Sequence, residues 1–296
     1  MTGLLKMKIA ISFIFLVLLT SSCNQQQEKD NTKANVSVSI LPLEYFIEAM
    51  GGDFIEVNVM VPEGSSPATY EPTPRQMKKL MRSDAYLGIE ALSFEKAWMD
   101  RFRSNNKTMN VFDLSEDVQM IDLASHQHAG APSAIHEHVA DPHIWVSPST
   151  VLPVIKAIKD ALTELYPEHR SAIQSNYKQL KRQVELKHQM AAKAMAELEN
   201  KNFMIFHPAL GYWARDYGLN QIVIEDKGKE PSPGQFNKVL QRAKKQKVTK
   251  VFVQKQFDVR NAQTVAKELG IDVVVINPLD KCWAEQVDHI IQAFNS

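Results

Sequence analysis

Residues 168–200 read EHRSAIQSNYKQLKRQVELKHQMAAKAMAELEN and contain neither glycine nor proline. Seven apolar residues recur there at intervals of three, four or seven: Ile173, Tyr177, Leu180, Val184, Ala191, Met195 and Leu198. This spacing places them on one face of a helix. About thirty helical residues span about 45 Å, which is longer than a small domain is wide. The pattern therefore predicts one long linking helix over 168–200.

Short runs of β-branched and aromatic residues lie on both sides of this helix. Four precede it, at 36–41, 55–61, 85–89 and 110–112, and four follow it, at 203–206, 221–224, 250–254 and 273–276. Segments of helical character separate the runs, which indicates βα units and mainly parallel sheets. The predicted fold class is α/β, with two lobes joined by one long rigid helix. The predicted lobes are an N-terminal α/β lobe over 36–167 and a C-terminal α/β lobe over 201–296.

Helix boundaries in these lobes carry their own signals. TPRQ at 73–76 and SPGQ at 232–235 each combine a hydroxyl cap, proline at the first helical position and glutamine at the third, which is typical of a capping box. Gly218 and Gly270 stand where two helices are expected to end.

The N-terminus has the pattern of an export signal. Lys6 and Lys8 precede eleven mostly apolar residues, and the sequence TSSC follows. A membrane-spanning helix needs about 20 apolar residues, so this segment is too short to span. The pattern resembles a bacterial lipoprotein signal, which predicts a signal peptide over 1–22 and a lipidated tether over 23–35 that starts at Cys23. Ordinary cleavage near Ser22 is the alternative, because Thr20 stands where the lipoprotein pattern prefers leucine.

Composition argues against a nucleic-acid-binding protein and against a fold stabilised by disulfides. Lys+Arg and Asp+Glu both number 34, so no global positive field indicates a nucleic-acid partner. The chain has two cysteines, Cys23 and Cys282. If Cys23 carries lipid, Cys282 has no partner for a structural disulfide, and folding depends on the apolar core.

Histidines concentrate in one short stretch. ASHQHAGAPSAIHEHVADPHIW, residues 124–145, holds five of the chain's nine histidines: His126, His128, His136, His138 and His143. Histidine-rich tracts are typical of metal binding, although a solvated loop with a chance bias is the alternative. The glycine, alanine, proline and serine content predicts a flexible accessory loop over 124–140.

Further candidate ligands follow predicted strands. His207 comes directly after FMIF, and ligands of open α/β sheets bind at the carboxyl ends of strands. A loop histidine that caps the next helix is the alternative. His143 follows the Asp141-Pro142 turn and precedes Trp145, a candidate anchor that would hold a ligating ring still. Asn277 and Asp280 follow the last strand and offer oxygen ligands.

Five motifs occur in a fixed order along the chain: SPATYEPTPRQ, DPHIWVSP, HPALGYWARDYGL, EPSPGQ and VINPLD. Together they resemble the ZnuA/TroA-like metal-binding lipoproteins, which are the substrate-binding proteins of zinc and manganese ABC importers. The resemblance runs from about Val36 to the C-terminus. It implies two α/β lobes bridged by a rigid helix, one metal ion in the cleft, and a histidine-rich loop before DPH in zinc-selective members.

The resemblance also implies roles for individual residues. It makes His143 and His207 metal ligands, with Asp280 and Asn277 as further candidates. The accessory metal loop then comprises His126, His128, His136 and His138. The chain departs from the family pattern at two positions: Ala68 replaces the usual histidine, and Asn277 replaces the usual aspartate. The family's manganese branch has glutamate where this chain has His207, and because imidazole suits zinc, Zn2+ is favoured over Mn2+.

These features predict a binding protein rather than an enzyme. The expected function is to capture a divalent metal ion outside the cytoplasmic membrane and deliver it to an ABC permease. A manganese- or iron-binding protein of the same family and an adhesin-type surface lipoprotein are the alternatives. A metal-dependent hydrolase is disfavoured because HExxH and GxSxG are both absent from the sequence. The expected state is a monomer, anchored by its N-terminal lipid on the extracytoplasmic side of a bacterial membrane.

Overall fold

The computed structural model describes residues 33–122, 140–226 and 228–295. Contacts group Ala34–Ser296 into one compact unit, separate from Met1–Lys33. The predicted signal peptide and Cys23 lie outside the described residues, as do the four histidines of the accessory loop. No helix in the described ranges is long and apolar enough to cross a membrane.

The first sheet contains four parallel strands in the order β2-β1-β3-β4. The strands are β1 (Ala34–Val38), β2 (Ile55–Val59), β3 (Ala85–Gly88) and β4 (Asn110–Asp113). The helices of this half are α1 (Leu41–Gly51), α2 (Pro74–Leu80), α3 (Ser93–Asn105) and α4 (Pro148–Leu165), with a 3-10 turn at Gly52–Phe54. Because β1 is flanked on both sides, its residues Val36, Ser37 and Val38 are fully buried.

The second sheet repeats this arrangement with the order β6-β5-β7-β8, again all parallel. The strands are β5 (Asn202–Ile205), β6 (Asn220–Val223), β7 (Lys250–Gln254) and β8 (Asp272–Ile276). The helices are α6 (Gly211–Tyr217), α7 (Pro233–Lys245), α8 (Val259–Leu269) and α9 (Trp283–Asn295). All eight predicted strands are present, and the prediction of an α/β fold with parallel sheets is confirmed.

The predicted linking helix is also present. Helix α5 (Arg170–Ala196) contains 27 residues and follows a 3-10 turn at Pro167–His169. Its buried face comprises Ile173, Leu180, Val184, Ala191, Ala194 and Met195. This face packs against α1, α4 and α9, so one helix contacts elements of both halves. The limits of the two lobes stay a prediction.

The halves share one apolar core. Phe203 on β5 and Phe252 on β7 belong to the same buried cluster as the first sheet and α5. Phe294 on α9 contacts both rings, with centroids 5.2 and 4.8 Å away. A second, smaller cluster lies between the second sheet and helices α7 and α8. The shared cluster explains why 34–296 forms one compact unit.

The helix ends follow the sequence signals. Thr73 and Gln76 form a complete capping box at α2, and Ser232 and Gln235 form another at α7. Helices α6 and α8 end at Gly218 and Gly270, which have left-handed φ values of 66° and 69°. A residue with a Cβ is strained in that region, so glycine is favoured there.

A buried carboxyl lies where β3 ends. Glu95, in the first turn of α3, is 2% exposed, and the Tyr86 hydroxyl lies 3.3 Å from its Oε1. A Cβ on Gly88 would stand 2.5 Å from the same oxygen, so only glycine leaves room for this carboxyl. Burial raises the pKa of Glu95 from 4.5 to about 7. The carboxyl is therefore partly protonated near neutral pH.

This pKa shift predicts a pH-dependent stability. Between pH 4.5 and about 7 the folded state keeps a proton that the unfolded chain has released, so rising pH lowers the free energy of unfolding. The contribution of Glu95 is on the order of 3 kcal/mol. We expect Glu95→Gln to remove it, so the variant's stability relative to the wild type increases from pH 5 to pH 8. Urea unfolding measures this difference. The exposed control Glu90→Gln should show no such trend, and a parallel pH profile for Glu95→Gln would contradict the prediction.

Candidate metal site

The carboxyl ends of the second sheet bring several polar side chains together. His207 lies two residues after β5, Glu225 lies two residues after β6, Gln254 is the last residue of β7, and Asn277 follows β8. The strands are parallel and adjacent, so all four residues lie at one edge of the sheet. This is the edge at which α/β sheets bind ligands.

The ring of His207 is held by a carboxylate. Its Nδ1 lies 3.0 Å from each carboxylate oxygen of Glu225, whose side chain is 6% exposed. A ring nitrogen that donates to a carboxylate fixes the tautomer and leaves the lone pair on Nε2. The Gln254 amide holds the backbone of His207, because its Nε2 donates to the His207 carbonyl at 2.5 Å. Phe257 stacks on the imidazole, with centroids 5.3 Å apart.

His143 is oriented in the same way from the other half of the chain. Oδ1 of Asp141 accepts the backbone N–H of His143 at 3.0 Å and lies 2.6 Å from its Nδ1. Asp141 is 1% exposed, so this bond is shielded from water. Its Oδ2 lies against Gly211, where an added Cβ would be only 2.7 Å away. The close approach of α6 to this loop therefore needs glycine at 211.

Residues from the second half fix the loop that carries His143. The Trp145 indole donates to the Pro278 carbonyl at 2.8 Å, and the Trp283 indole donates to the Trp145 carbonyl at 2.8 Å. The Tyr212 hydroxyl donates to the Asp141 carbonyl at 2.6 Å. Burial, with the nearby Asp141 charge, raises the pKa of Tyr212, so the phenol stays a donor. These three aromatic residues are all buried.

The two imidazoles face each other. Nε2 of His143 lies 3.2 Å from Nε2 of His207, and the rings are close to perpendicular at 71°. Two nitrogens that each bind a tetrahedral zinc ion at 2.0–2.1 Å are about 3.3–3.4 Å apart. The observed separation is therefore close to the spacing of a zinc-binding pair. His143 is the more enclosed side chain, 12% exposed against 29% for His207.

The side chains of Asn277 and Asp280 are hydrogen-bonded to each other. Nδ2 of Asn277 donates to Oδ2 of Asp280 at 3.0 Å, and Oδ1 of Asn277 accepts from Gln256 at 2.8 Å. The other oxygen of Asp280 accepts the backbone N–H of Cys282 at 2.9 Å. In the part of the chain that the structure describes, no third histidine, cysteine, aspartate or glutamate is placed to bind a metal ion together with the two histidines. Metal ligation by Asn277 or Asp280 stays a prediction.

Ala68 lies in an exposed turn. Its backbone N–H donates to Ser66 Oγ at 3.3 Å, and the Tyr70 hydroxyl donates to the capping-box residue Gln76 at 2.8 Å. Glu63, just before the turn, forms a 3.1 Å ion pair with Lys255, which directly follows Gln254. This ion pair ties the chain before the turn to the edge of the second sheet that carries His207.

Three supporting residues were not among the candidates from the sequence: Asp141, Glu225 and Gln254. The signal for Asp141 is its place two residues before His143, since aspartate side chains accept backbone N–H groups two residues on. The signal for Glu225 and Gln254 is their place at strand ends. Assigning them to His207 needs the strand order, which the local sequence does not contain.

Comparisons with known proteins point to one family. The family model described as ZnuA, zinc-uptake complex component A, periplasmic, matches residues 36–294. A crystal structure of ZnuA superposes with a TM-score of 0.81 at 32% identity and covers 89% of this chain and 99% of that chain. The high-affinity zinc uptake system protein ZnuA of Bacillus subtilis is 25% identical over 95% of this chain and 89% of its own length.

A longer relative is also similar. The zinc-binding lipoprotein AdcA of Streptococcus pneumoniae is 25% identical over 281 residues, which is 92% of this chain. The chain spans about half of that relative, 54% of its length.

Proposed function

This chain belongs to the ZnuA family of periplasmic zinc-uptake components, and on that premise we propose that it is the extracytoplasmic substrate-binding protein of an ABC importer. Its cargo in this proposal is Zn2+, bound between His143 and His207. The family consists of transport components rather than enzymes. The observation that carries the proposal is the 3.2 Å separation of two Nε2 atoms whose rings are each fixed by a carboxylate.

The chemistry of the pair favours zinc. Both donors are imidazole nitrogens, which suit zinc, whereas manganese prefers carboxylate oxygens. Asp141 and Glu225 fix the tautomers of the rings and restrict their rotation. Zinc prefers four ligands, so two positions remain for water, Asp280, Asn277 or a histidine of the accessory loop. An ion held partly by exchangeable ligands can be passed to a permease.

The proposed location follows from the N-terminal pattern and from the lipoprotein relative. In this proposal the mature chain begins at a lipidated Cys23 and lies on the extracytoplasmic side of the membrane. It acts there as a monomer that delivers zinc to the permease. Manganese is the alternative cargo, and it would bind at the same site of the same fold.

Metal content and competition test the proposal. We expect elemental analysis of the purified protein to find zinc bound at the histidine pair, and excess Mn2+ to leave that zinc in place. Accessory loop histidines can add weaker zinc, so the count is made after dialysis against a weak chelator. Displacement of zinc by equimolar Mn2+ would favour the manganese alternative. A protein that retains no divalent metal at all would contradict the proposal.

The supporting carboxylates should control zinc affinity. We expect Asp141→Asn and Glu225→Gln each to weaken zinc binding about 10- to 100-fold, because the amides cannot hold or polarise the imidazoles as carboxylates do. A competition titration with a zinc chelator measures the change. Glu230→Gln removes an exposed carboxylate five residues after Glu225 in the sequence and serves as the control. Affinities equal to the wild type would show that the rings need no such support.

The departure at Ala68 predicts a gain of affinity. A methyl group cannot bind zinc, so Ala68→His adds a ligand to a site that has an open position. We expect zinc to bind at least about tenfold more tightly in the same titration. Thr69→His adds an imidazole to the neighbouring exposed residue and should leave affinity unchanged. Unchanged or weaker binding by Ala68→His would mean that the open position does not face residue 68.

A further inference from the structure

Basic residues are concentrated in one segment of an otherwise balanced chain. Residues 231–257 contain six lysines and one arginine but no aspartate or glutamate. The segment comprises α7, the turn that follows it, and β7. The chain as a whole has equal numbers of basic and acidic residues, so this distribution creates a local positive region.

The structure presents much of this charge on one surface. Leu240 and Ala243 are buried against the second sheet, and Phe236 and Val239 pack beside them. Five cations of α7 and its turn are exposed and form no ion pair with any described carboxylate: Lys238, Arg242, Lys244, Lys245 and Lys247. We refer to these five residues as the α7 basic face. Helix α7 is thus amphipathic, with one apolar side and one cationic side.

The turn after α7 contains a second unusual feature. Among the described residues, Lys247 is a non-glycine residue with a left-handed backbone, at a φ of 52°. Gly218 and Gly270 occupy the equivalent left-handed positions after α6 and α8. A lysine at this position strains the backbone, and a glycine would relieve it. The chain therefore keeps a positive charge where the fold alone favours glycine.

We propose that the α7 basic face binds the anionic phospholipid surface of the membrane to which the chain is tethered. A cluster of four to eight cations on an amphipathic helix has the charge that anionic headgroups attract. The lipid anchor favours this partner over an acidic protein. Only ten residues, 24–33, separate Cys23 from Ala34, so the tether can extend at most about 40 Å. The surface is therefore always close to the folded unit, at high effective concentration.

The proposal adds a second membrane contact to the lipid. It draws on the predicted lipidation of Cys23 and is independent of the zinc site. A basic surface commonly acts together with a lipid anchor in membrane binding. Each cation near an anionic surface strengthens binding about fivefold, so the face can hold the folded unit against the bilayer rather than at the end of its tether.

Vesicle sedimentation tests the α7 basic face without the lipid. The protein is the chain from Asn24 onward, which lacks Cys23 and keeps the whole compact unit. The probes are vesicles of phosphatidylglycerol and phosphatidylcholine in equal parts and vesicles of phosphatidylcholine alone. We expect binding to the anionic vesicles alone, and weaker binding at high salt because the charges are screened.

Two variants separate charge from folding. Replacing Lys238, Arg242 and Lys245 with glutamine should weaken binding about a hundredfold, whereas replacing the exposed Lys78, Lys107 and Lys178 with glutamine makes the same charge change elsewhere and should have little effect. Lys247→Gly should weaken binding about fivefold without lowering the melting temperature. Zinc affinity should stay unchanged in all variants.

Three outcomes would overturn the proposal. The first is no binding to anionic vesicles, or equal binding to both vesicle types. The second is an equal loss of binding in the two triple variants, which would indicate a general charge effect. The third is vesicle binding that survives replacement of the α7 cations. If the same cations are then required for capture of an acidic protein domain, that domain is the partner. None of these outcomes bears on zinc binding.

Discussion

Replacing His207 with alanine is expected to weaken zinc binding by two to three orders of magnitude. A complete four-ligand zinc site contributes about 10–16 kcal/mol, so one imidazole accounts for about 2.5–4 kcal/mol. The alanine also leaves Glu225 buried without the ring that it holds in the present structure. His143→Ala should have a similar effect, because the two Nε2 atoms face a common point.

The double variant provides a sharper test than either single variant. If both rings bind the same ion, the second substitution costs less than the first, because the site has already lost most of its affinity. Two independent sites would give additive losses instead. Competition titration measures all three variants, and His289→Ala, which removes an exposed histidine on α9, is the control. Wild-type affinity in either single variant would show that zinc binds elsewhere.

Replacing Cys23 with serine is expected to move nearly all of the protein from the membrane fraction to the soluble fraction in high-salt buffer, where binding through the α7 basic face is screened. Serine cannot carry the thioether-linked lipid, and the short apolar segment before it is not long enough to span a bilayer. Cell fractionation with an antibody against the folded unit measures the change. Cys282→Ser removes the other cysteine and should leave the protein in the membrane fraction.

The opposite results have clear meanings. Soluble wild-type protein in intact cells would exclude the lipid anchor and favour ordinary cleavage near Ser22. If the Cys23→Ser variant stays in the membrane fraction and is released only when the α7 cations are also replaced, charge alone holds the protein at the membrane. Fractionation at low and high salt separates lipid anchoring from charge-based binding, because salt screens the charges and leaves the lipid bound.

Elements of the fold that depend on local sequence could be predicted. The apolar spacing of 168–200, the two capping boxes and the runs of β-branched residues each report on a few neighbouring residues. The structure confirms α5, both capping boxes and all eight strands. His143 and His207 were predicted as candidates because one follows a turn and the other follows a strand, which are also local features.

Features that depend on contacts between distant segments could not be predicted. Glu225 holds His207 only because β6 pairs with β5, and strand order is a property of the whole sheet. Glu95 looks like an ordinary glutamate at a helix start, and its raised pKa results from burial beneath segments distant in sequence.

The anchoring of Trp145 has a consequence for the timing of transport. The indole and carbonyl of Trp145 are both bound to the chain near Pro278 and Trp283, so contacts within the protein hold His143 opposite His207. A preorganised pair captures an ion without waiting for a slow rearrangement, and its association rate is set by diffusion and by loss of water from the ion. In the transport cycle that we propose, we therefore expect release of the ion, rather than its capture, to be the slow step. A permease that loosens the Trp145 contacts would separate the two imidazoles and set the turnover of the importer.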